Sequence, residues 1–230
     1  MAETIAERLL AVRQGIEQAA AQAGRDPAGI RLVAVSKTKP AAEIREAVAA
    51  GQFDFGENYG QELRDKMAGV SDPRVRWHFI GQLQTNKVKY LVGQVALIHS
   101  ADSAKLIREI GKRAAGLNLV QDILLEVNLG GEESKSGVAE DEVGGLIEAA
   151  LTQPAVRVRG LMTMPPYFPE AEPSRPFYRR LCELRDREQA RLGGRVNLSD
   201  LSMGLSHDYP VAIAEGATLL RVGTAIFGAR

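Results

Sequence analysis

Lys37 stands just past a short β-branched apolar run, RLVAV at 31–35, with only Ser36 between. A lysine whose stem leaves a buried wall is partly desolvated, and Lys39 adds a like charge two residues on. Both effects favour the neutral amine, the form that attacks a carbonyl to make a Schiff base. The plainer reading of Lys37 is a solvated rim lysine. Far along the chain, Arg221-Val222-Gly223-Thr224 combines a permanent cation, a glycine that permits close backbone approach and a hydroxyl. The run LSMGLSHD at 201–208 adds Ser202, Gly204 and Ser206. Backbone N–H groups and hydroxyls in such turns bind phosphate. The competing reading is two ordinary turns with N-capping serines. Together, an aldehyde-reactive lysine and a phosphate cup point to a phosphorylated carbonyl ligand.

The other reactive side chains say less. The three histidines, His78, His99 and His207, fall in three separate segments with no metal-ligand spacing. His78, between Trp77 and Phe79, reads as a barrel-layer or rim residue with one satisfied nitrogen. His99 reads as structural, next to Ser100 and Asp102, either of which would cap a following helix. His207 lies in the phosphate turn. Glu132 and Glu133 sit in the loop GGEESKSG and look solvated; Lys135 in the same loop is a second possible rim amine. Cys182, the only cysteine, sits in the helical pattern FYRRLCELRD and is read as packing.

Positioning these residues requires a repeated scaffold. Apolar strand patterns at 31–35, 53–56, 75–81, 95–100, 123–129, 156–164, 196–203 and 217–223 alternate with helical spacing at 40–50, 59–67, 85–91, 103–115, 141–151, 177–192 and 209–214. The last strand has no helix after it in this reading. A further helix pattern, Ile5 to Ala23, precedes the first strand and would cap the barrel's bottom or pack on its side. Strand–helix alternation implies parallel pairing with right-handed crossovers, and eight units fit a closed (β/α)8 TIM barrel. An open doubly wound sheet is the rival, but its usual G-x-G-x-x-G after strand one is replaced by SKTKP. The proline-rich MPPYFPEAEPSRP falls between strand six and its helix and reads as a rim loop, not a linker. The 230 residues are therefore expected to form one domain.

In a barrel, function sits at the C-terminal ends of the strands. That filter selects Ser36 to Lys39, Glu57-Asn58, His78 near Gly81, His99-Ser100, Asn128, Thr163, Ser202 to Ser206, and Arg221 to Thr224.

Composition narrows the function classes. Hydrophobic residues are 45% and charged residues 25%, the ordinary globular mixture. Lys plus Arg and Asp plus Glu are both 29, so no net field draws nucleic acid or an anionic membrane. The longest uncharged stretch runs only from Tyr90 to Ala101, where a membrane span needs about 20 residues. MAETIAERLL has no signal-peptide pattern, and a lone cysteine suits a reducing cytoplasm. No apolar stripe demands a partner, so a monomer is expected.

AVSKTKP, FGENYGQE, WHFIGQLQTNK, NLGGEESKSG, GLMTM, LSMGLSHD and RVGTAIFGAR, in this order, resemble the pyridoxal phosphate homeostasis proteins. The likeness runs from about residue 30 onward. It implies a fold-type III barrel similar to the N-terminal domain of alanine racemase, with one pyridoxal 5′-phosphate (PLP), a vitamin B6 aldehyde. By motif position Lys37 would form the internal aldimine. Ser206, Gly223 and Thr224 would hold the phosphate, with Ser202 as a neighbour. Arg221 would face the pyridine nitrogen, and Asn58 would lie near the ring. Pyridoxal chemistry usually needs that nitrogen protonated. A permanent cation keeps it unprotonated, which suits carrying the cofactor, or racemisation with limited carbanion delocalisation, better than transamination.

Three functions compete. The first is a PLP-binding protein of homeostasis, not an enzyme, that passes the cofactor to apo PLP-dependent enzymes. In its favour, six residues after Thr224 leave nothing for the β-domain of racemases, and no tyrosine can be assigned opposite Lys37. The second is an amino-acid racemase acting as a bare barrel, with His78 or Lys135 as the second base. The third is a Schiff-base aldolase whose substrate bears the phosphate; it would lack the yellow of bound PLP.

Overall fold

In the computed structural model, residues 3–131 and 136–228 are described. Eight parallel strands pair in sequence order: β1 Arg31–Val35, β2 Asp54–Glu57, β3 Arg76–Phe79, β4 Leu97–Ala101, β5 Gln121–Glu126, β6 Val156–Met162, β7 Asp200–Ser202 and β8 Leu219–Val222. β8 pairs back onto β1 from Arg31 opposite Leu219 to Ala34 opposite Val222, and this closes the barrel. The helices are α1 Ile5–Gln22, α2 Ala41–Ala49, α3 Gly60–Gly69, α4 Ala104–Gly116, α5 Val143–Leu151, α6 Arg175–Leu192, α7 Tyr209–Ala214 and α8 Thr224–Phe227.

The inside of the barrel follows from the two-residue period of strands. Val33, Leu97, Leu124, Met162 and Leu219 form one small apolar cluster in its middle. Residues two further on face the same way, so the strands raise Val35, His99, Glu126 and Arg221 toward the C-terminal mouth. Residues two before put Arg31 and Asp122 toward the floor. The main apolar core lies outside the barrel, between strands and helices.

α1 begins at a capping box. Thr4 Oγ1 accepts the Glu7 N–H at 3.2 Å and Glu7 Oε2 accepts the Thr4 N–H at 2.7 Å. Its buried face, Ile5, Leu9, Val12, Ile16, Ala19 and Ala20, packs against α2, α7 and α8. α1 therefore lies on the barrel's side and fills the outer ring between the last helices and the first.

Four details depart from the sequence reading. A helix does follow the last strand: α8 is a single turn, too short to leave a periodic pattern. The segment after β3 is a 3-10 helix, Thr85–Tyr90. Residues 196–198 are not strand, because the Gln189 amide of α6 captures them: its Nε2 donates to Val196 O at 2.8 Å and its Oε1 accepts the Leu198 N–H at 2.8 Å. The cap of α4 is Ser103, whose Oγ accepts the Leu106 N–H; Ser100 Oγ instead donates to Gly81 O.

The β5–β6 register steps from Ile123 opposite Val158 to Leu124 opposite Gly160, leaving Arg159 as the bulged residue. Beside the bulge the backbones crowd: a Cβ on Gly160 would stand 1.7 Å from Asp200 O. Gly160→Ala is expected to destabilise the fold by about 3 kcal/mol through forced separation of β6 and β7. Chemical denaturation measures this, and an unchanged midpoint would contradict the bulge geometry.

Candidate functional site

A cavity of about 520 Å³ opens at the C-terminal mouth of the barrel. That lies within the roughly 300–1,000 Å³ typical of small-molecule sites. Lys37, Asn58, Ser206, Arg221, Gly223 and Thr224 all line it, so six of the seven expected site residues meet in one place. The seventh, Ser202, is fully buried behind it: its Oγ accepts from Arg221 Nη1 at 2.6 Å and bonds His99 Nδ1 at 2.8 Å. Ser202 thus supports Arg221 and does not share a surface with Ser206. Lys135, the second amine considered, lies outside the described residues.

The turn that carries Lys37 is held from beneath. Thr38 has a positive φ of 65°, unusual for a β-branched residue. Its N–H donates to Glu62 Oε2 at 3.0 Å, and Lys39 N–H closes the turn onto Ser36 O at 3.0 Å. Lys66 Nζ reaches Ser36 O and Glu57 Oε1, both at 2.7 Å, and Ser36 Oγ donates to Glu57 Oε1 at 2.6 Å. Burial pushes the Glu57 carboxyl up, against the pull of Lys66 and Ser36. The charge of Lys39 is spent elsewhere: its Nζ donates to Phe227 O at 2.8 Å and stands 3.9 Å from Glu43.

Across the cavity, β8 delivers Arg221, a guanidinium only 4% exposed. Nη1 donates to Ser202 Oγ and Nη2 to Thr163 O at 2.9 Å. Burial pulls its proton affinity down while Tyr178, Glu126 and Asp208 act the other way; a guanidinium remains a cation. Beyond it, Ser206 Oγ accepts the backbone N–H of Gly223 at 3.2 Å and of Ala225 at 3.3 Å. Gly223 lies against β1, where a Cβ would meet Val35 at 3.2 Å. The LSMGLSHD turn is built by Asp208, whose carboxylate takes the Leu205 N–H and the hydroxyl of buried Tyr178, both at 2.7 Å. Gly204 at φ 91° is required there, since a Cβ would meet Ala212 at 2.6 Å.

The WHFIG run closes the remaining side. Ile80 and Gly81 line the cavity, and a Cβ on Gly81 would strike Asn58 O at 2.2 Å. Asn58 Oδ1 is buried without a hydrogen-bond partner. His78 differs from expectation, because both its nitrogens are engaged: Nδ1 with His99 Nε2 and Nε2 with Asp54 Oδ1, each at 2.9 Å. His99 is structural, as expected, but through these bonds and not through a cap. Among the described residues no three His, Cys, Asp or Glu side chains are placed to hold a metal.

Among the lining residues missed, two carry ionisable groups. Glu126, on β5, lines the cavity and is pushed up to about 7 by burial and by Asp102, with Arg221 opposing. The inward register of Leu124 was its only signal in sequence. Tyr167, from the proline-rich loop, also lines the cavity, although the sequence offered no tyrosine opposite Lys37. It is 78% exposed, with its ring 5.4 Å from that of His207.

This closed parallel barrel, with Lys37 just past β1 and buried Arg221 on β8, matches the family model of the alanine racemase N-terminal domain over residues 8–230. Similarity within that class is closer to proteins named pyridoxal phosphate homeostasis protein. The one from Aquifex aeolicus is 50% identical over 224 residues, 97% of each chain. The one from Pseudomonas aeruginosa is 46% identical, covering 99% of this chain and 96% of that one. PipY of Synechococcus elongatus PCC7942, solved with PLP bound, superimposes with a TM-score of 0.87 at 36% identity, over 98% of this chain and 100% of that chain. The chain belongs to the pyridoxal phosphate homeostasis family of alanine racemase-like barrels.

The raised affinity of Glu126 for a proton has a stability consequence. A carboxyl whose folded pKa, about 7, exceeds its ordinary 4.5 contributes stability that is fully present below pH 4.5 and is lost as pH rises through 7. A shift of that size is worth at most about 3 kcal/mol. Glu126→Gln is expected to flatten this part of the stability–pH curve between about pH 4 and about pH 8, and to equal or exceed the parent at the alkaline end. Parallel urea-denaturation curves for the two proteins across that range would contradict it.

Proposed function

We propose that this protein holds PLP in the barrel-mouth cavity for homeostasis of the cofactor, with little or no catalytic turnover. The observation that carries this reading is the convergence of Lys37, Arg221 and the Ser206–Gly223–Thr224 turn on one cavity. When bound, PLP supplies an aldehyde that condenses with a primary amine and a pyridine ring that withdraws electrons.

The residues present fit that group. Ser206 Oγ already occupies an acceptor position on the Gly223 and Ala225 N–H groups, the donors a phosphate at this turn would use. Thr224 adds a hydroxyl at the cavity wall. The orphaned Asn58 Oδ1 offers an acceptor beside a ring. Lys37 supplies the amine. Arg221 presents to the pyridine nitrogen a cation that cannot give up its charge, so that nitrogen stays unprotonated and the electron sink is weak. Ser202 acts one step back, by fixing Arg221. A weak sink disfavours transamination and is compatible with simple retention of the cofactor.

The setting we assign is the cytoplasm, with a monomeric protein and apo PLP-dependent enzymes as recipients. The single cysteine supports a reducing compartment. No helix among the described residues is long and apolar enough to cross a membrane. Met164 and Tyr167, 51% and 78% exposed, stand at the mouth where a recipient would meet the cavity.

Borohydride reduction of the protein after incubation with PLP is expected to fix one cofactor mass on the peptide containing Lys37, and Lys37→Ala to abolish the adduct. An adduct of undiminished yield in that variant would move the site elsewhere. Loss of optical purity of L-alanine on incubation with the loaded protein at ordinary enzyme rates, above about 1 s⁻¹, would replace the carrier reading by the racemase one.

A further inference from the structure

Four hydrogen bonds run in series through the barrel's interior. Arg221 Nη1 meets Ser202 Oγ at 2.6 Å, Ser202 Oγ meets His99 Nδ1 at 2.8 Å, His99 Nε2 meets His78 Nδ1 at 2.9 Å, and His78 Nε2 meets Asp54 Oδ1 at 2.9 Å. None of the three middle residues is more than 1% exposed. The chain ends at the opposite side of the barrel, where Asp54 lines a separate cavity of about 410 Å³ and its Oδ2 accepts from Arg76 at 2.6 Å.

The direction of every bond follows from counting hydrogens. Arginine can only donate, and an ionised carboxylate can only accept. Between them stand a hydroxyl and two neutral imidazoles, each with one hydrogen. Arg221, Ser202, His99 and His78 together supply four hydrogens for four bonds, and only one arrangement satisfies all four. Ser202 donates to His99 Nδ1, His99 Nε2–H donates to His78 Nδ1, and His78 Nε2–H donates to Asp54. A fifth hydrogen on either histidine, with the other bonds keeping their directions, would set two donors face to face.

The surroundings keep that count. Burial holds both imidazoles below their ordinary range; for His99 the neighbouring His78, Arg221 and Arg31 add to it. Burial also opposes ionisation of Asp54, but hydrogen bonds from His78 and Arg76 outweigh it and its carboxyl stays below the usual range. Arg31, which also faces the floor, is taken by Asp200 at 3.2 Å.

We infer that Asp54, at the floor of the barrel, is a positioning residue for the cup, acting on Arg221 through His78, His99 and Ser202. With Nη1 pinned by this chain and Nη2 by Thr163 O, the guanidinium keeps its remaining N–H groups aimed at the ligand space. The electronic state of a cofactor at the mouth is thereby tied to a carboxylate that never touches it. The effect on cofactor rests on the function proposed above; the order of hydrogens does not.

The test has two arms. Nitrogen-15 NMR of the ligand-free protein should show His78 and His99 both as neutral Nε2–H tautomers that do not titrate through the neutral pH range. Asp54→Asn, which keeps an acceptor oxygen but removes the charge, should move the ring-nitrogen resonances of His99 as well as His78. In the PLP-loaded protein it should shift the pH profile of the visible absorbance band and weaken retention several-fold, with Ser202→Ala doing the same from the near end. An Nδ1–H tautomer at either histidine overturns the inference. So does an Asp54→Asn protein that melts earlier but leaves the His99 resonances and the cofactor band unchanged, because that is a merely structural role. If the parent protein takes up no PLP, the function fails while the NMR arm still decides the chain.

Discussion

Arg221 is a charge placed where charges are hardest to keep. A lone guanidinium in a barrel core is untenable unless its donors find acceptors, and removing such acceptors leaves an uncompensated buried cation. Much of the inner barrel answers to this one demand. Thr163 turns its carbonyl inward, Ser202 turns its hydroxyl, and two histidines extend the polar path toward a carboxylate on the far side. A carboxyl that interacts with it, Glu126, is pushed up to about 7 by burial and so cancels the cation only partly at neutral pH. A cavity walled by an incompletely balanced guanidinium favours an anionic guest, as the phosphate-ready turn at Ser206 and Gly223 also does.

Lys37 is governed by a different logic. The guanidinium is fixed through its side chain, while the lysine is fixed through its backbone. Glu62 clamps Thr38 in a left-handed conformation, and Lys66 ties Ser36 to Glu57 below it. One cation shared by two carboxylates makes a rigid plinth on α3 and β2. From that fixed base Lys37 reaches the cavity it lines.

Much of this was readable in the sequence, for reasons that can be traced to particular residues. Strand ends are marked by abrupt loss of apolar character, so Ser36-Lys37, Asn58 and Arg221-Val222-Gly223 announced themselves. What escaped was whatever depends on a partner distant in sequence. Nothing in VNLSD reveals that Gln189 will take its backbone groups and shorten β7. Nothing local distinguishes Ser202 from Ser206, although one serves Arg221 and the other a turn. The pairing of His78 with His99 requires knowing that β3 and β4 both point them inward at matching height. The one-turn α8 is too brief for periodicity to register.

The seam between β1 and β8 has a bearing on when the protein becomes competent. Lys39 bonds to the carbonyl of Phe227, 188 positions away, and β1 finds its second neighbour only in β8. Synthesis on the ribosome delivers the lysine well before the glycine-threonine turn. Until β8 emerges, β1 is an open edge, exposed to stray pairing, and the two walls of the pocket have not met. A ligand that touches both walls therefore meets a complete pocket only once β8 has paired with β1.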